Sequence, residues 1–369
     1  MISDGSPRSV LISTVNQEKA MRSTVDSRMA FVLSLLQFAA ACPLCFAQAD
    51  PAEKRDVADQ GWVAAGTITG YDSHIYSLAF GPGPILVSGD ANFVRVWDVE
   101  TKQEQSFYKP PLKYATTITA ITYSPHDDWV SFRGLREYHL ACGEKWLKNG
   151  RPIDIGFGVR GESLSPLAIA SDGKTYALRS QAAKKYVVDV IRHEFDVNPS
   201  RRMRVASCRG HEGDVDCAAF SPDLKLLATG SQDKTVRLWE TATGEQLAVL
   251  TGHTDAVSAV EFSPNGDFIA TGGKDGCIRF WDVGTRTEKG MTQGKSGVRC
   301  LSFAPDSKSL ASGDEEGILR ILSVEDSAPK AIMTDHAGTV FCVAFNRKGD
   351  LLASGGQDKV IRLWKNRSP

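Results

Sequence analysis

The chain has 369 residues, enough for one large domain or two ordinary ones, with 42% hydrophobic and 24% charged residues and a mean hydropathy of −0.21. Lys and Arg total 43 against 44 Asp and Glu, a net charge of −1. This balance argues against a general nucleic-acid binder, which needs a basic excess to neutralise phosphates, and it gives no pull toward an anionic membrane surface.

The first element in chain order is an apolar run, Ala30–Ala41 (AFVLSLLQFAAA), broken only by Ser34 and Gln37. Arg22 and Arg28 precede it, and Ala47 and Ala49 follow, which is the layout of a secretory signal cleaved after an A-x-A end. Residues 1–47 are therefore expected to form the signal region. Translation is expected to start at Met21, because the stretch before it is long and mixed for a signal lead. The run is shorter than the roughly 20 residues that cross a bilayer. Three alternatives stay open: an uncleaved anchor, a lipoprotein in which Cys42 of Ala39-Ala40-Ala41-Cys42 takes a lipid, or an apolar segment with no targeting role. Membrane attachment is expected only in the first two. Residues 48–60 (QADPAEKRDVADQ) are polar and read as a linker, leaving 61–369 as the folded domain of an exported protein, periplasmic or secreted.

Beyond the linker the chain repeats itself. SPDLKLLATGSQDKTVRLWE (221–240), SPNGDFIATGGKDGCIRFWD (263–282) and NRKGDLLASGGQDKVIRLWK (346–365) share a turn, an apolar strand, a second turn with Asp, and an alternating strand ending in Trp. Val236 and Leu238 alternate with Arg237 and Trp239, the period of a strand. The Trp position runs Trp97, Ala141, Val188, Trp239, Trp281, Leu322, Trp364, at spacings of 44, 47, 51, 42, 41 and 42 residues. Seven repeats are thus expected, the second and third with insertions. The 33 glycines, many in turn-like contexts, suit such a fold.

From about Gly61 to Trp364 these repeats resemble the WD-repeat family, in an exported, bacterial-type member. The resemblance implies an all-β, seven-bladed propeller. It also implies a buried His, Ser or Thr, Asp and Trp relay within a blade: His211, Thr229, Asp233, Trp239; His253, Thr271, Asp275, Trp281; and His336, Ser354, Asp358, Trp364. A His–Asp–Ser set suggests a hydrolase triad, but a nucleophile occurs once in an accessible cleft, and this set occurs three times at blade spacing. In blade 1 Tyr71 takes the His position, with Asp90 approximately placed. Blades 2, 3 and 6 lack the relay, with Glu316 where the Asp of blade 6 would stand, and are expected to be held mainly by packing. The last blade has no outer strand of its own after Trp364, whereas VAAGTITGY (63–71) aligns with LAVLTGH (247–253) before blade 1. That N-terminal strand is expected to pair with the last blade and close the ring.

The resemblance places partner contacts three and five residues after the relay His. Those positions are His74 and Tyr76, Thr117 and Thr119, Ser163 and Ser165, Asp214 and Asp216, Ala256 and Ser258, Gly297 and Arg299, Thr339 and Phe341. The residue before the turn Asp adds Gln232, Lys274 and Gln357. His74, Tyr76, Arg299 and Phe341 stand out, since aromatics and Arg anchor interfaces and their blades are neighbours around a ring. Asp214 and Asp216 form a separate acidic edge. The irregular stretch 126–160, with Trp129, Arg133, Arg136, Trp146 and Lys148, reads either as a degenerate blade or as a binding insertion. RRMR (201–204) reads as a solvated strand face.

Cys217, Cys300 and Cys342 recur at one repeat position and read as small packing residues. No zinc spacing, phosphate loop or dinucleotide fingerprint is present, and no cofactor is expected. The reading is a non-catalytic scaffold outside the cytoplasm that binds a protein or peptide, and no nucleic acid, on its top face. A propeller enzyme or small-ligand receptor using the central channel is the alternative.

Overall fold

The computed structural model describes residues 61–108, 117–123, 129–134, 138–142, 166–172, 174–180, 186–194 and 201–367. The leader and linker, with Met21 and Cys42, lie outside the described residues, as do Arg136, Trp146, Lys148, Ser163 and Ser165.

Regular structure among the described residues is entirely β-strand, in seven antiparallel sheets. Blade 4 shows the plan: Val215–Phe220 innermost, then Leu226–Ser231, Val236–Glu240 and the outer Gln246–Leu250. The turns between them carry the residues that tight turns need, such as Ser221 and Asp223 capping the backbone amides of Leu226 and Lys225. Blades 1, 3, 5 and 6 repeat this four-strand order, and three strands are described in blade 2. RRMR lies on the outer strand of blade 3, Arg201–Cys208.

In blade 7 the fourth strand comes from the other end of the chain. Trp62–Ile68 pairs antiparallel with Ile361–Asn366, from Trp62 opposite Asn366 to Ile68 opposite Ile361. The ring closes in the register that the sequence alignment required. One marker needs correction. In blade 3 Tyr176 pairs with Ile191 as Leu227 pairs with Trp239, so Ile191 and not Val188 holds the Trp position. Val188 corresponds to Val236, three residues earlier on the same strand. Without a Trp the apolar run VVDVI offers several equivalent anchors, and only the pairing decides among them.

The core lies between blades rather than within them. Ala228, Val236 and Leu238 of blade 4 pack with Val257, Phe262 and Ile269 of blade 5. Ala270, Ile278 and Phe280 of blade 5 pack in turn with Val298, Phe303 and Leu310 of blade 6. The second and third strands of blades 4, 5 and 6 are buried on both faces, so they carry bulk on both sides.

Close approach across these seams explains one recurring glycine. A Cβ on Gly230, Gly272, Gly313 or Gly355 would stand 2.6, 2.5, 2.6 or 2.7 Å from the β-branched side chain that opens the next innermost strand: Val257, Val298, Val340 or Ile75. Most seams also carry one bond from a small polar side chain to the next blade's carbonyl. Ser77 donates to Ile118 O (3.2 Å), Cys217 to Val257 O (3.7 Å), Ser258 to Val298 O (2.5 Å), Cys300 to Val340 O (3.5 Å) and Cys342 to Ile75 O (3.6 Å). Blade 3 has Arg179 in place of the glycine, and its Nε donates to Val215 O at 2.6 Å. The repeated cysteines are therefore packing residues that also cap a carbonyl. They are free thiols, and burial pushes Cys217, Cys300 and Cys342 well above the ordinary thiol range.

Candidate functional site

The three relay sets are assembled. In blade 4 the Trp239 indole N–H donates to Thr229 Oγ1 (2.8 Å), which lies 2.8 Å from His211 Nε2, and His211 Nδ1 lies 2.8 Å from Asp233 Oδ2. Blade 5 repeats this with Trp281, Thr271, His253 and Asp275 at 2.9, 2.9 and 3.0 Å. Blade 7 does so with Trp364, Ser354, His336 and Asp358 at 2.9, 2.7 and 3.0 Å. In blades 4 and 5 the donors order themselves: indole to hydroxyl, hydroxyl to Nε2, and Nδ1–H to carboxylate, which satisfies every buried group with a neutral imidazole.

Burial raises Asp233, but the Thr235 hydroxyl, the Glu212 amide and His211 outweigh it and hold the carboxyl at about 2. Burial likewise opposes, and His336 and Arg362 overcome, the cost at Asp358, also about 2. Burial lowers His211 and His253 below the usual histidine range against the pull of their aspartates. All three histidines are buried, and each bonds to groups of its own blade, which is a structural and not a catalytic arrangement.

Blade 1 has a relay of its own, with Tyr71 OH 2.5 Å from Ser88 Oγ and Trp97 Nε1 donating to that oxygen at 3.0 Å. Blade 6 differs from the sequence expectation. Glu316 is exposed, and the acidic role passes to buried Asp314, two residues earlier, which accepts the Ile318 amide (2.8 Å) and Arg320 Nη1 (2.6 Å). Asp90 of blade 1 sits at the same repeat position, accepting the Phe93 amide at 2.8 Å and Arg95 Nε at 3.4 Å. An Arg on the third strand thus replaces the His as partner. Its place two residues before the Trp position was visible in sequence, but the two-residue shift of the Asp was not.

At the seam of blades 7 and 1 three predicted partner residues converge. Tyr76 and Phe341 stack with ring centroids 5.4 Å apart at 21°. His74 leans on both, 5.9 Å from each. The Tyr76 hydroxyl is 3.4 Å from His74 Nδ1. Burial, and then Lys359, lower His74, so the cluster is uncharged at neutral pH. The seam beneath is fixed by Ile75 N–H to Gly356 O (3.1 Å) and by Lys359 Nζ to Asp72 O (2.9 Å). Lys359 follows the relay Asp, a position that the partner rule did not include.

The remaining predicted residues do not join the cluster. Arg299 lies one blade away, 4.0 Å from Glu315, whose carbonyl accepts the Thr339 hydroxyl at 3.1 Å. Asp216 of the acidic edge is engaged by Arg179 (3.1 Å) and Gln232 (3.1 Å), and Asp214 lies half-buried beside it on blade 4. Lys274 is exposed on blade 5. Ala256 and Gly297 are buried, and Ser258 is used across its seam, so these do not offer a free surface. Among the described residues no group of three or more His, Cys, Asp or Glu is arranged to hold a metal ion, and no helix is long and apolar enough to cross a membrane.

The family described as "WD domain, G-beta repeat" matches residues 62–98, 202–240, 244–282, 287–323 and 327–365, over half of the chain. This chain belongs to the WD40 repeat family. The matched stretches cover blades 1, 4, 5, 6 and 7, where the strand pattern is regular. Curated proteins are similar over shorter stretches. Serine-threonine kinase receptor-associated protein of Gallus gallus is 29% identical over 43% of this chain and 40% of its own length. Apoptotic protease-activating factor 1 of Danio rerio is 29% identical over 58% of this chain and 16% of its own. This WD40 chain therefore spans less than half the length of these relatives. WD40 repeats form interaction scaffolds, generally non-catalytic, that typically bind protein partners.

Proposed function

We propose that this WD40 chain is a non-catalytic scaffold that docks a protein or peptide on the face where its innermost strands begin, with the His74–Tyr76–Phe341 cluster as the anchor. The stacked, half-buried, uncharged rings at the ring-closing seam carry this reading. Aromatic groups held rigidly in advance contribute contact area at little ordering cost on binding. The relatives point the same way, one being named for association with a receptor and another for activating a protease.

The same proposal places the work outside the cytoplasm, on the strength of the apolar run Ala30–Ala41 with its Arg lead and A-x-A end. Site-specific photocrosslinking tests both parts. A crosslinker placed at Phe341 should give a discrete adduct in the cell envelope or medium that disappears with Tyr76→Ala. One placed at exposed Val249 on the outer strand of blade 4 should give none. Equal labelling from both positions would remove the docking reading, and adducts confined to the cytoplasm would remove the export reading.

A further inference from the structure

The innermost strand of blade 5 carries Glu261 where the corresponding residues of blades 1, 4, 6 and 7 are Ala79, Ala219, Ser302 and Ala344. Glu261 pairs with Ala270, so its side chain lies on the face that packs with Phe303, Val298 and Leu310 of blade 6. Among the described residues its buried Oε2 has no hydrogen-bond partner, and the Phe303 amide is the one donor that reaches the carboxyl. Burial pushes this carboxyl up to about 8. The same seam lacks the usual small polar donor: Ala259 stands where Cys217, Cys300 and Cys342 stand in other blades, and Ser258 supplies the bond to Val298 O instead.

We propose that the seam between blades 5 and 6 is a pH-sensitive joint, closed while Glu261 carries its proton and loosened when the carboxyl ionises. Ionised, the group would be a charge among apolar side chains with one amide to hold it, and it gains its solvation only if the seam parts. The strands packed against it offer no relief. The second strands of blades 4 and 5, Leu226–Ser231 and Phe268–Gly273, carry no titratable group, and on that of blade 6, Ser309–Asp314, Asp314 is paired with Arg320. On the innermost strand of blade 4, Asp216 is paired with Arg179, and the Cys217 thiol is held neutral by burial. On the innermost strand of blade 6, Arg299 faces Glu315, and Cys300 is a buried neutral thiol that the Glu261 charge raises further. In the opened seam the carboxyl returns to the ordinary glutamate range, so rising pH favours opening.

Hydrogen exchange on the full chain tests this, with rates corrected for the intrinsic effect of pH. Between pH 6 and 8 the Val298–Phe303 and Phe268–Gly273 amides should gain about 50-fold in opening, from a tenfold change per unit that levels off near the folded-state value. The Ser77–Phe80 and Ile85–Gly89 amides of blade 1 should not change. Glu261→Gln, which keeps the shape but cannot ionise, should abolish the response. If that variant fails to fold, Glu261→Ala matches the residue that blades 1, 4 and 7 accept, and the carboxyl carbon shift of the unmodified protein reads the titration directly. The same pH response in wild type and variant, or a Glu261 carboxyl titrating near 4, would overturn the joint.

Discussion

Each relay Trp buries an indole whose N–H finds a single acceptor, the hydroxyl of Thr229, Thr271 or Ser354. Thr229→Val keeps the volume of the side chain but strands both the Trp239 N–H and His211 Nε2, at a cost of about 2 kcal/mol. A fall in the urea midpoint of that size is expected, whereas Thr271→Ser should stay close to wild type because blade 7 works with Ser354. An unchanged midpoint for Thr229→Val would mean that the hydroxyl carries no weight. The relay also sets the acid response. His211 and His253 are lowered in the folded state, as are Asp233, Asp275 and Asp358, so in every case the unfolded chain binds more protons as pH falls. Stability should be lost first below about 6.5 as the unfolded histidines protonate, and then from about 4 toward 2 as the carboxylates do. In denaturation curves at pH 7 and 5, His253→Gln should flatten the first step. The same slope with and without His253 would refute its share.

An isolated four-stranded sheet of this chain has apolar residues on both faces and cannot be stable in water, so the seam is the unit of stability. In blades 4, 5, 6 and 7 the glycine on the second strand sets how closely the neighbouring blades meet. Gly272→Val would drive its side chain into Val298, whose Cγ1 is 2.5 Å from the position of a Cβ there. A loss of about 2–3 kcal/mol is expected, typical of overpacking. Gly284, whose nearest neighbour to such a Cβ is Asp282 Oδ1 at 3.5 Å, should accept the same change with little effect on the thermal midpoint. Equal shifts for the two substitutions would show that the seam yields easily.

At the scale of the molecule, closure depends on a strand far away in sequence. Deleting residues 61–70 removes the partner of Ile361–Asn366, exposes the edge of blade 7 and uncovers Trp364 and Phe345, which pack against Trp62 in the neighbouring core. The product should be insoluble or rapidly cleaved in limited proteolysis. A soluble truncation with unchanged resistance would show that the ring holds without its latch.

The period of the repeats, the strand alternation and the three complete relay sets were legible in sequence, because each is a local pattern in which residue type follows from burial a few positions away. Tyr71 in the His role and the N-terminal latch were legible too, since they follow from aligning one repeat with another. The register of blade 3, the transfer of the blade 6 acid from Glu316 to Asp314, the thiol and hydroxyl bonds across the seams, and the stacking of Tyr76 on Phe341 were decided only by tertiary structure. Each depends on which strand residues pair or on how closely two sheets approach, and a linear pattern holds no record of that distance.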